Sequence, residues 1–194
     1  MWDKYAEAKR QRLIPSKFRP LTKAELEATQ ICLFAPILVP GLFQTEMLAR
    51  LVLSAEQPRE KVEGMLAVRM ERQSILTKVN PPWVLLLISE STLRNIPPEV
   101  REEQCKRLLD LVDETNIAAQ LIPLYAQVFQ SSGFQLLSFD RGPDVAYIDG
   151  AGVHGQMLTD LSDVRGLTVL FSMIRTAALP ARESEDLIRT IMEG

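Results

Sequence analysis

Trp83-Val84-Leu85-Leu86-Leu87-Ile88, directly behind Pro81-Pro82, is the stretch that most restricts what this chain can fold into. Six consecutive apolar residues without alternation suit a strand covered on both faces, which requires a sheet with packing elements above and below it. The run is far too short to span a bilayer. It is therefore expected at the centre of a sheet in a layered domain. Pro58, Pro97-Pro98 and Pro180 stand where helices would begin or be separated, and they divide the rest of the chain into helical lengths.

Taken in order, helices are expected over Leu21 to Thr29, after Pro40-Gly41, from Arg59 to about Lys78, after Pro97-Pro98, from about Asp163 to Leu179 and from Ala181 to Met192. Strands are expected near residues 31 to 38, 83 to 89, 116 to 123, 134 to 139 and 144 to 149, with Asp140-Arg141-Gly142-Pro143 as a hairpin turn. The pattern describes an α+β fold, a small mainly antiparallel sheet packed by several helices. It is expected to form a single domain over 21–194, preceded by an N-terminal helix and linker over 1–20. Lys9-Arg10-Gln11-Arg12 reads more readily as a solvated helix terminus than as a nucleic-acid patch. A net charge of −3 supplies no basic footprint for nucleic acid either.

The candidate site comes from two helices. Behind the Pro40-Gly41 turn, Phe43, Met47 and Leu51 recur every four residues beside Leu48 and Val52, while Glu46 and Arg50 stand at i,i+4 to pair on the other side. On the next helix Val62, Met65, Leu66, Met70 and Leu76 form a stripe, with Arg69 and Gln73 in its middle and Arg72 one step off. A guanidinium on a core-facing stripe left unpaired costs on the order of several kcal/mol, so it needs a carboxylate or several carbonyls. Glu46 and Glu90 are the carboxylates the sequence offers. Two accounts fit: a structural polar network fixing helices to the sheet, or Arg69, Gln73 and Glu90 lining a cavity.

Other chemistry has little support. Gly150-Ala151-Gly152-Val153-His154-Gly155 has the spacing of a dinucleotide loop, but the preceding strand belongs to a hairpin and no parallel strand follows, so a turn between antiparallel strands explains it better. His154 is the only histidine, no serine sits in a nucleophile elbow, and no ligand set has metal spacing. No cofactor and no metal are expected. Cys32 and Cys105 are isolated in apolar contexts and read as buried structural thiols. Asp144 and Asp149 could do acid–base work, but turn capping is the commoner role. The N-terminus lacks a signal-type apolar region, which suggests a cytoplasmic protein.

Val39-Pro40-Gly41-Leu42-Phe43-Gln44-Thr45 with Ala49-Arg50, then Arg69-Met70, Arg72-Gln73, Glu90, Leu93-Arg94, Gln120-Leu121-Ile122-Pro123, Gly133-Phe134, Asp144 to Asp149, and Arg175 with Ala177-Ala178-Leu179 and Glu183-Ser184 together resemble one known pattern. It is that of DUF5753, a domain of unassigned role usually found C-terminal to a Cro/repressor-type helix-turn-helix in actinobacterial regulators. The pattern commonly has tyrosine where Leu48 stands, leucine where Phe43 stands and glutamate where Asp149 stands, changes that would reshape a pocket more than a fold. The usual helix-turn-helix is absent from these 194 residues, so direct DNA binding by this chain is not expected.

The resemblance implies a ligand- or partner-binding domain of regulator type, with a site drawn from Gln44, Glu46, Arg50, Arg69, Arg72, Gln73, Glu90 and Tyr147. The alternative is a cofactor-independent biosynthetic cyclase or isomerase recruited from such a domain, acting on a natural-product intermediate. A small molecule or a protein is the expected partner, without membrane association, and a homodimer is possible.

Overall fold

A computed structural model describes residues 18–150 and 155–194. Seven α-helices and six strands occupy the described residues, in the order α1 (Arg19–Glu27), β1 (Gln30–Ala35), α2 (Glu46–Glu56), α3 (Arg59–Arg72), a 3-10 turn (Gln73–Leu76), β2 (Trp83–Ser89), α4 (Glu90–Arg94), α5 (Pro98–Val112), β3 (Ile117–Ile122), β4 (Phe134–Ser138), β5 (Val145–Ile148), β6 (Gln156–Leu158), α6 (Leu161–Thr176) and α7 (Ala181–Glu193). The expected N-terminal helix and His154 lie outside the described residues.

All six strands form one sheet in the order β3-β2-β1-β4-β5-β6. The expected α+β class with a mainly antiparallel sheet holds, because β1–β4, β4–β5 and β5–β6 pair antiparallel. The two ladders β1–β2 and β2–β3 are parallel. Each joins strands separated by helical crossovers, α2–α3 and α4–α5, as parallel pairing requires. β2 is therefore an interior strand but not the middle one. That place belongs to β1 and β4, and Trp83, at the start of β2, is 66% exposed. The Gly142 turn joins β4 to β5 with φ of 96°, and β5 and β6 make the antiparallel hairpin expected around the glycine-rich segment.

Alternating side chains divide the core between the two faces of the sheet. Phe34, Leu87, Phe134 and Ala146 pack under Val164, Phe171 and Ile174 of α6. Leu33, Leu86, Leu137 and Tyr147 meet residues of α1, α2, α5 and α7 on the other face. A satellite core of Ala49, Leu53, Val62 and Leu66 joins α2 to α3. Cys32 and Cys105 are both buried and unbridged.

The stripe expected on the first of these helices needs correcting. Helix α2 starts at Glu46, behind the cap in which Thr45 Oγ1 accepts from Leu48 N, so Phe43 belongs to the turn. This start turns Leu48, Ala49 and Leu53 inward and leaves Met47 and Leu51 49% and 45% exposed. The following helix ends at Arg72 rather than near Lys78, closing in the 3-10 turn that buries Ile75 and Leu76.

Candidate functional site

The site is built on the loop that leaves the carboxyl end of β1. Pro40 O accepts from Phe43 N at 2.8 Å, folding residues 40–43 into a turn. Three glutamines pin it. Gln44 Nε2 donates to Val39 O at 2.8 Å, and Gln73 Nε2 donates to Gly41 O at 2.8 Å and Gln44 O at 2.7 Å. Gln104, on α5, donates to Phe43 O at 2.8 Å and accepts from Thr45 N at 2.9 Å, with no exposed surface. An irregular loop is thereby held with its buried backbone groups paired.

Between this loop, α3 and the adjacent ends of β4 and β5 lies a cleft of about 480 Å³, within the size range of small-molecule sites. Its apolar wall includes Phe18, Ile37, Leu38, Val39 and Val52, and its polar wall includes Gln44, Glu56, Arg69, Arg72, Gln135 and Asp149. The stem of Arg69 crosses Gly41, 3.6 Å from where a Cβ there would stand. Its Nη1 donates to Gln44 Oε1 at 2.6 Å, and no carboxylate lies within ion-pair distance of it among the described residues. Burial, and then the neighbouring charge of Arg72, lowers its pKa to about 10, against the pull of Glu56, so it stays cationic at neutral pH.

Arg72 is differently placed. Its Nη2 donates to Glu25 Oε1 at 2.9 Å, its Nε lies 2.7 Å from Glu25 Oε2, and its guanidinium stacks 4.9 Å from the centre of the Phe18 ring. Glu25 has no exposed surface, and burial pushes its carboxyl up while Arg72 draws it down. Asp149 keeps exposed surface, but the groups packed around its carboxyl partly desolvate it and push it up as well, an effect partly offset by Arg72. Its Oδ2 presses on Gly133, where a Cβ would overlap it and would stand 3.1 Å from Phe34 O. Gln135, opposite Tyr147 in the ladder, is 7% exposed, and its Oε1 is buried with no hydrogen-bond partner among the described residues.

Of the residues expected from the sequence, the cleft brings together Gln44, Arg69 and Arg72, with Gln73 behind them as a brace of the loop. Glu46 and Arg50 do not reach it. They pair on the solvent face of α2 at 2.9 Å, and Arg50 also pairs with Glu63. Glu90 does not reach it either, because its carboxylate accepts from Arg94 Nε at 2.6 Å and Leu124 N at 2.9 Å, tying α4 to the loop after β3. Tyr147 lies under Phe18, ring centres 5.9 Å apart, with its hydroxyl against Gly155. The sequence offers no expectation for Gln135, Glu25 or Glu56, and Asp149, for which turn capping is the commoner expectation and acid–base work the other, lines the cleft. Gln135 did carry a signal, as a polar residue two positions before the inward-facing Leu137 and between the apolar Phe134 and Leu136.

Among the described residues, no helix is long and apolar enough to cross a membrane, and no group of three or more His, Cys, Asp or Glu could hold a metal ion. A family model described as a domain of unknown function, DUF5753, matches residues 18–190. No curated protein and no solved structure matches the chain.

Proposed function

Since the chain belongs to the DUF5753 family, we propose that it is a ligand-binding domain of regulator type, taking a small molecule in the cleft beside α3. The observation that carries this reading is Arg69, a half-buried cation in the cleft wall whose one hydrogen bond among the described residues runs to a neutral amide rather than to a carboxylate. A purely structural arginine at that depth gains most from an acid partner, as Arg72 does from Glu25. An arginine kept for a ligand is left with donors to spare.

Asp149 favours a second reading, a cofactor-independent cyclase or isomerase. A carboxyl whose pKa is raised by desolvation, with a cation nearby, is the kind of group that serves as an acid or base. Native mass spectrometry of the chain after incubation with cell extract separates the readings. A retained, unchanged molecule that is lost on Arg69→Ala is the outcome expected for binding. A converted molecule assigns the enzyme. Retention of nothing and conversion of nothing overturn both and leave a protein partner as the reading to test.

A further inference from the structure

The cleft's polar groups are sorted by kind, and the sorting describes a ligand. On the α3 side Arg69 presents guanidinium donors that one amide oxygen does not exhaust. On the sheet side stand acceptors: Gln135 Oε1, buried and unpartnered among the described residues, and the carboxylate of Asp149, which keeps exposed surface at the cleft. A buried acceptor without a donor is costly to the free protein, and a ligand N–H in that position removes the cost. The remaining wall, from Phe18 and the loop through Ile37, Leu38 and Val39, is apolar.

Resting on the ligand-binding reading above, we infer that the cleft takes a small amphiphilic monocarboxylic acid with an amide N–H, the pattern of an N-acylated amino acid. Its carboxylate meets Arg69, its N–H meets Gln135 and Asp149, and its apolar body lies on the loop wall. Arg69 is planar and forked, which suits bidentate capture of a carboxylate. A phosphate is disfavoured by the charge balance. Arg72 is already engaged with Glu25, and Glu56 and Asp149 would repel a second negative charge. The cleft's size accommodates such a molecule with a short to medium acyl chain.

The test is calorimetric titration of the full chain with N-acyl leucines of short, medium and long acyl chain, with their methyl esters and with their N-methylated counterparts. At least one acid is expected to bind saturably, and its ester and its N-methyl counterpart each to bind about tenfold more weakly or worse, the equivalent of one lost good polar contact. Arg69→Met is expected to remove the distinction between acid and ester. Gln135→Met is expected to remove the distinction between N–H and N-methyl while keeping the other. Because it also deletes an orphaned acceptor, Gln135→Met should melt above the wild type when unliganded, so a folding defect cannot imitate the result.

Saturable binding by none of the acids overturns the inference, as does equal binding of acid and ester or a distinction that survives in the matching variant. If the extract experiment yields a retained molecule that is neutral or a dianion, the ligand class falls and the binding site stands. If it retains nothing and no acid binds, both fall.

Discussion

Replacing Arg72 by methionine removes the cation from Glu25, a carboxylate with no exposed surface, and leaves an apolar chain of similar length in its place. The stranded carboxylate escapes by taking up a proton. From an ordinary value of 4.5, that uptake at pH 7 costs about 3.4 kcal/mol, which is a ceiling because burial already holds Glu25 above the ordinary value in the intact pair. Loss of the stacking on Phe18 adds about 0.5–1 kcal/mol. The expected loss is thus roughly 2–4 kcal/mol, or a melting point about 4–16 °C lower for a domain of this size.

The sign of the pH dependence follows from the same proton. In Arg72→Met the folded protein holds a proton on Glu25 that the unfolded chain releases above its ordinary value. The variant's stability therefore falls as pH rises from 4.5 toward 7, by at most about 1.4 kcal/mol per unit; the wild type, whose own Glu25 is also raised, falls with it only until the pH passes its folded value, and from there the deficit widens. Paired urea titrations at pH 5 and pH 7 measure this directly. A deficit below about 1 kcal/mol at pH 7, or one equal at the two pH values, refutes the reasoning. Adding Glu25→Leu is expected to recover most of the loss, since a buried pair exchanged as a unit for apolar side chains is often close to neutral.

Three further outcomes are expected. Asp149→Asn should be more stable than the wild type near neutral pH and equal to it at low pH. Partial desolvation raises the folded-state pKa of Asp149, so the charge is tolerated better in the unfolded chain than in the folded one; because the side chain keeps exposed surface the gain is small, and melting curves across pH 3–7 check the convergence. Gly133→Ala drives a methyl into the Asp149 carboxylate and against Phe34 O, with an expected cost of about 1–3 kcal/mol in chemical denaturation and a displaced Asp149 that weakens whatever the cleft retains. Gln104→Leu orphans the buried Thr45 N–H and Phe43 carbonyl at roughly 1–3 kcal/mol each, and hydrogen exchange should show the 40–45 turn losing protection before the sheet does.

The elements themselves were legible because their signals are local. Pro58, Pro97 and Pro180 stand at helix starts, the apolar run 83–88 is an interior strand, and the turn with Gly142 joins β4 to β5. What the chain order hid was pairing partners. Nothing near Trp83 says that β1 and β2 run parallel, and the position of β4 beside β1 depends on residues a hundred places apart. The site divided in the same way. Arg69 stands out in the sequence as a cation on an apolar stripe that needs a carboxylate or carbonyls, and the fold supplies the amide oxygen of Gln44 rather than Glu46 or Glu90. Glu46 and Arg50 satisfy one another along the helix, a pairing that the i,i+4 spacing foretold and that takes them out of the cleft. Gln135 and Asp149 reach the cleft only through the ladder that aligns β4 with β5.

The pairing of β1 with β4 also has a consequence for how the protein is made. Phe34 and Phe134 sit opposite one another in that ladder. At about 5–20 residues per second, the ribosome delivers the second strand roughly 5–20 s after the first. Once β2 has been made, β1 can recruit it along one side, while its other side offers open backbone donors and acceptors to any nascent neighbour until β4 arrives. Polypeptides cut short before residue 134 are thus expected to associate more readily than the full chain, in which β4 closes that edge.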